Sequence, residues 1–151
     1  PPENQEAFFR YCLEEPQREN YEGWDFQWEF MEIAAYLANT PEREQQLFAT
    51  LDTFAKSDDY SSSYNQERAA HIKLFVFDWH RNKKAIEPFL QANLKLDAIR
   101  KIVIEKRLKE KRFAEVRQLC EKGIRLAKIR GNPGTVEDYQ KVLLGLDKRS
   151  K

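Results

Sequence analysis

"KRFAEVRQLCEKGIRLAKIRGNPG", residues 111–134, decides how the rest of this chain is read. Phe113, Val116, Leu119, Cys120, Gly123, Ile124 and Ala127 recur at intervals of three or four and form one apolar stripe on a helix. Gly131-Asn132-Pro133-Gly134 then stops it, with glycine where a helix C-terminus takes a left-handed residue and proline where a helix cannot continue. A stripe of this width must pack against a neighbour, so the segment predicts one helix of a helix–turn–helix unit.

Working outward, the same spacing recurs in nearly every segment. Gln5–Glu15 carries Phe8, Tyr11 and Cys12 on one side and ends before Pro16. Residues 16–23 read as a polar connector. From about Trp24 to Ala38 two faces are apolar, one with Trp24, Trp28, Met31, Ala35 and Ala38, the other with Phe30, Ile33 and Leu37. That pattern predicts a helix sandwiched between neighbours.

"NTPERE", residues 39–44, opens the next helix, with Thr40 as N-cap, Pro41 at the first helical position and Glu42 and Glu44 favoured by the helix dipole. Leu47, Phe48, Leu51, Phe54 and Ala55 form its buried stripe. "SDDYSSS", residues 57–63, is the longest run of breakers and reads as a flexible loop. Ser63 and Gln66 have capping-box spacing for a helix over about Tyr64–Arg81.

Four more helices are expected, Lys84–Leu94, Asp97–Lys111, Arg112–Arg130 and Thr135–Lys148, with Asp97 and Thr135 as caps. Pro88 predicts either a start near Glu87 or a kink. The fold class is therefore all-α, about eight helices in antiparallel pairs and essentially no sheet, with Trp28, Met31, Phe75, Trp79, Leu119 and Ile124 buried. At 151 residues the chain reads as a single helical-repeat domain, and its Pro1-Pro2 start without Met suggests a fragment of a longer protein.

A shift of 30 residues sets Ile86, Phe89, Leu90 and Leu94 on Val116, Leu119, Cys120 and Ile124, and Ile72 and Leu74 on Ile102 and Ile104. Fixed periods of this order mean a solenoid in which each unit buries its face on the next. "KRFAEVRQLCEKGI" resembles the junction and second helix of a tetratricopeptide repeat, with Phe113 at the aromatic turn position and Val116 and Gly123 at close-packing positions; the first-helix Trp and Tyr are absent. Across residues 24–145, the order "WEFMEIAAYL", "TPERE", "IKLFVFDW", "FLQANL" and "IRKIVIEKRLKEKRFAEVRQLCEKGI" resembles the helical C-terminal region of bacterial SWIM zinc-finger proteins. That resemblance implies an α-helical repeat region attached to a zinc module. The Cys-x-Cys…Cys-x-His ligand set is absent from this sequence, so it implies no zinc site and no catalytic residue.

The motifs that carry chemistry are missing as well. His71 and His80 are nine residues apart, about 180° around one helix, and cannot share a metal from it. No phosphate loop, nucleophile elbow or metal-ligand spacing occurs in the sequence, so no catalytic, cofactor-binding or metal site is expected. Glu14-Glu15 and Asp58-Asp59 read as solvated surface. Cys12 and Cys120 read as buried reduced thiols, with a disulfide or a reactive thiol as the alternatives. Without an apolar run of about 18 residues or a leader pattern, a cytoplasmic protein without membrane contact is expected.

Charge is divided unevenly. Residues 1–64 carry 14 acidic and 4 basic side chains, net −10, whereas residues 65–151 carry 11 and 22, net +11. Placed at opposite ends of a solenoid, such blocks would give weak head-to-tail association, screened by salt; the alternative is a monomer whose asymmetry is only surface composition. In the basic half, Arg107, Lys111, Arg112 and Arg117 are the residues expected to touch nucleic acid phosphates, against an ordinary solvated face with glutamates interleaved. The expectation is a non-enzymatic module binding protein or peptide; its alternative is an accessory nucleic-acid-binding domain.

Overall fold

The computed structural model describes residues 1–18, 25–56 and 62–149. These form eight α-helices, α1 (Pro2–Glu14), α2 (Phe26–Leu37), α3 (Pro41–Ala55), α4 (Ser62–Trp79), α5 (Lys83–Ala92), α6 (Asp97–Lys109), α7 (Phe113–Ile129) and α8 (Pro133–Arg149), with a 3-10 turn at Glu15–Gln17. No strand occurs among the described residues. No described helix is long and apolar enough to cross a membrane. Trp24, most of the 16–23 connector and residues 57–61 of the expected loop lie outside the described residues.

The chain gathers into two compact units, Pro1–Phe89 and Leu90–Lys151. Residue 64, at which the two charge blocks divide, lies in the first turn of α4. Counted by unit, the first holds 17 acidic and 9 basic side chains, net −8, and the second 8 and 17, net +9.

In the first unit α2 packs against α1, α3 and α4, as its two apolar faces require. Trp28, Met31, Ala35 and Ala38 are buried together with Phe9, Cys12, Leu47, Leu51, Ile72 and Val76. The second face is only partly covered, and Ile33 is exposed. Thr40 caps α3, its hydroxyl accepting from the Arg43 amide at 3.2 Å. The Arg43 guanidinium holds three segments together. It donates to Glu6 of α1 at 2.8 Å and to the Leu37 carbonyl at the end of α2 at 3.0 Å, and it lies over the Phe9 ring.

In the second unit α7 packs against both α6 and α8. Of the stripe of residues 113–127, Val116, Cys120, Gly123 and Ala127 are buried core; Leu119 and Ile124, expected to be buried, are half-buried against it, and Phe113 is exposed.

Three of the interhelix turns are one device repeated. After α4, Asn82 N–H donates to Phe77 O at 2.7 Å and Arg81 N–H to Asp78 O at 3.1 Å. After α6, Arg112 N–H reaches Arg107 O at 2.9 Å and Lys111 N–H reaches Leu108 O at 3.1 Å. After α7, Asn132 N–H reaches Ala127 O at 3.0 Å and Gly131 N–H reaches Lys128 O at 3.1 Å. This double bond pattern requires a left-handed residue just past the helix, and Arg81, Lys111 and Gly131 supply it with φ of 61°, 60° and 68°. The first two are 30 residues apart, the offset at which the sequence overlays on itself.

Arginine and lysine are strained in that conformation, whereas glycine is not. Lys111→Gly and Arg81→Gly are each expected to stabilise the protein by about 0.5–1 kcal/mol. Gly131→Ala should cost about 1 kcal/mol, and since an added Cβ meets nothing within 4 Å, the cost is conformational alone. Urea unfolding of the three variants tests this; a destabilising Lys111→Gly would mean that the turn is held another way.

Several local expectations need correction. Trp79 is exposed, with 56% of its surface accessible, and Phe75 is half-buried. Trp79 is the last residue of α4 and meets α2 through the Tyr36 ring, edge-on at 5.1 Å between centroids. Asp97 does not cap α6: it is the first helical residue, Leu96 precedes it without a side-chain cap, and its carboxylate is engaged elsewhere. Thr135 lies inside α8, and Asn132 Oδ1 caps that helix by accepting from the Thr135 amide at 3.2 Å. α4 opens at Ser62, which puts Ser63 inside the first turn. Pro88 lies within α5, which begins at Lys83 and not near Glu87.

Candidate functional site

The four cations expected to meet phosphates do not form one open face. Arg107, in the last turn of α6, is 5% exposed. Its Nε donates to Glu115 at 3.1 Å and its Nη1 to Glu110 at 3.2 Å. Arg112 binds the same two carboxylates, reaching Glu110 at 3.2 Å and pairing closely with Glu115. These four side chains close the α6–α7 turn as a neutral cluster. Arg117, on α7, donates to Asp147 of α8 at 2.7 Å, a bond that holds its pKa above the ordinary arginine value. Lys111 is exposed at the left-handed turn position. Three of the four are thus bound to carboxylates of their own unit.

The histidines are separate. His80 Nε2 lies 2.8 Å from the Ala35 carbonyl, a bond in which the ring nitrogen donates, so it ties the end of α4 to α2. His71 is exposed on α4. No group of three His, Cys, Asp or Glu that could hold a metal ion occurs among the described residues. Cys12 and Cys120 are buried free thiols. Burial pushes both pKa values up, that of Cys120 to about 11 despite the nearby Arg100 guanidinium, so neither is a thiolate at neutral pH.

What the helical spacing conceals is a groove between α2 and α4, about 370 Å³ in volume. Ala35 and Ile72 form its floor, and the Tyr36 and Phe75 rings its apolar wall. Arg68 stands on the rim, paired with Glu32 at 3.3 Å and lying over the Trp28 and Tyr64 rings, at 5.3 and 5.8 Å from their centroids. His71 completes the lining. Beside the groove, Tyr36 meets Phe75 and Trp79 edge-on, with centroids 4.9 and 5.1 Å apart, and Phe75 stacks on Trp79 at 5.7 Å. Tyr36 and Trp79 are 52% and 56% exposed.

The apolar residues of α4 occur all round the helix. One set is core, and the other forms this aromatic surface. Periodicity alone cannot separate a buried stripe from an exposed one when both are apolar, which is why Trp79 reads as core in the sequence. A surface of exposed Tyr and Trp with a half-buried Arg beside a concavity has the composition of a contact surface.

No protein-family model matches this chain, and neither does any characterised protein or solved structure compared with it.

Proposed function

We propose that this chain is a non-enzymatic helical-repeat interaction module that binds a protein or peptide along the α2–α4 groove. The observation that carries this reading is the exposed Tyr36–Phe75–Trp79 cluster beside a groove with an apolar floor and a charged rim. Large rigid rings offer contact area at little entropic cost, and Arg68 and Glu32 could fix the register of a bound segment. The turns after α4 and α6, alike and 30 residues apart, support a tetratricopeptide-like array; we extend the proposal to the helical region of SWIM zinc-finger proteins, which the sequence resembles, and to a cytoplasmic setting. An accessory nucleic-acid-binding role would draw on the basic half; with Arg107, Arg112 and Arg117 held by carboxylates, no observation favours it.

The test is affinity capture from the source cell extract with wild-type protein and with a Tyr36→Ala, Trp79→Ala double variant. Both side chains are half exposed, so the variant should stay folded with a loss of only about 1 kcal/mol. A partner retained by wild-type and lost by the variant is expected. Identical capture by the two proteins would remove the groove from consideration.

A further inference from the structure

The Leu90–Lys151 unit contains a second groove, about 340 Å³, bounded by the end of α5, by α6 and by α7. Arg100 lines it and is 2% exposed. One guanidinium nitrogen, Nη1, donates to the Leu119 carbonyl at 3.2 Å. Among the described residues Arg100 makes no other hydrogen bond and no ion pair within 4.0 Å. None of its nitrogens is both sealed and unpartnered, so its unused N–H groups reach solvent through the groove it lines.

The charges around it leave Arg100 without a close counter-ion. Asp97 is near enough to favour the charged guanidinium, but its oxygens accept from the Tyr139 hydroxyl at 2.6 Å and from Arg130 at 3.1 Å. Arg107 lines the same groove, with its charge committed to Glu110 and Glu115. A buried cation facing a cavity without a paired anion is costly unless something binds there. Lys122 also lines the groove but is exposed, so the buried charge that lacks a counter-ion is that of Arg100 alone, which a monoanion would meet. Glu115 on the same lining repels a phosphate dianion more strongly than a monoanion.

The remaining lining describes the rest of the ligand. Leu94, Val103 and Leu119 make an apolar wall, while Gln118 and Lys122 stand on the exposed side of the lining. We propose that this groove binds a carboxylate bearing a short apolar substituent, paired with Arg100. A free organic acid and the C-terminal residue of a peptide share this chemistry. The site belongs to the second unit, so its test is independent of the α2–α4 groove.

The experiment is a ¹⁵N-correlation titration of the full chain with N-acetyl-leucine, hexanoate, N-acetyl-leucinamide and inorganic phosphate. Saturable shifts of the Arg100 Nε–H and Gln118 side-chain signals are expected with carboxylates and not with the amide. Binding of N-acetyl-leucine alone identifies a peptide terminus, and hexanoate binding as tightly identifies a free acid. No saturable shift with either carboxylate, or equal shifts with the amide or phosphate, would overturn the proposal. Arg100→Met should keep the helical spectrum and a melting midpoint no lower than wild-type, because a buried charge without a close partner is replaced by an apolar chain. It should weaken N-acetyl-leucine binding at least about tenfold. Unchanged affinity in that variant would also overturn the proposal, and if the variant unfolds, the wild-type titration decides by itself.

Discussion

Gly123→Ala is expected to destabilise the Leu90–Lys151 unit by about 2–3 kcal/mol, although alanine is the better helix former by about 1 kcal/mol. Gly123 sits in the middle of α7 and is buried. An added Cβ would lie 2.6 and 2.7 Å from two atoms of the Tyr139 ring and 3.0 Å from Arg100 Cδ. The ring cannot swing away cheaply. Tyr139 is 1% exposed, and its hydroxyl donates to Asp97 at 2.6 Å; burial, followed by that bond, holds its pKa above the ordinary tyrosine value. Relieving the overlap therefore costs about 1–3 kcal/mol of strain, or else the charge-assisted bond, worth about 1.5–3 kcal/mol.

A double-mutant cycle isolates the cause. In a Tyr139→Ala background the same Gly123→Ala change should become neutral or stabilising by up to about 1 kcal/mol, with helix propensity opposed only by the remaining contact to the Arg100 side chain. Denaturant unfolding of the four proteins measures this. Equal costs in both backgrounds would show that the tyrosine ring is not what requires glycine.

The second large effect belongs to the first unit. Trp28→Ala is expected to cost about 4 kcal/mol, the range for emptying a fully buried large aromatic site. Trp28 is wholly buried, meets Phe54 edge-on with centroids 6.0 Å apart, and lies beneath the Arg68 guanidinium. Its indole Nε1 is sealed from solvent and lacks a hydrogen-bond partner among the described residues. Trp28→Phe therefore removes an unsatisfied donor together with the extra ring volume, and should cost only about 1–2 kcal/mol. Chemical denaturation followed by far-ultraviolet circular dichroism reads both. A phenylalanine variant as damaged as the alanine one would mean that the indole N–H is satisfied in solution.

The all-helical class was legible in the sequence because it rests on local rules. Residues 111–134 show an apolar stripe and a glycine stop, and both hold in α7 and the turn after it. The Thr40 cap and the 30-residue offset were equally legible. Side-chain spacing, caps and left-handed turn residues depend on neighbours within one or two helical turns.

Local rules do not say which of two apolar faces is covered. Trp79 and Val76 stand three residues apart on one helix, yet one is 56% exposed and the other fully buried, because α2 and α3 cover only one side. Nor do they say where a charge goes. Arg100 and Arg107 read as two members of a basic run, yet both are buried, one against carboxylates and one against a groove. Lys111 and Gly131 share a conformation that only the glycine advertises. Gly123 looked like a generic close-packing position until α8 brought Tyr139 against it. Helix formation is decided within the chain's own reach, whereas burial, pairing of charge and the shape of a groove depend on helices far away in sequence, and only the packed structure brings those together.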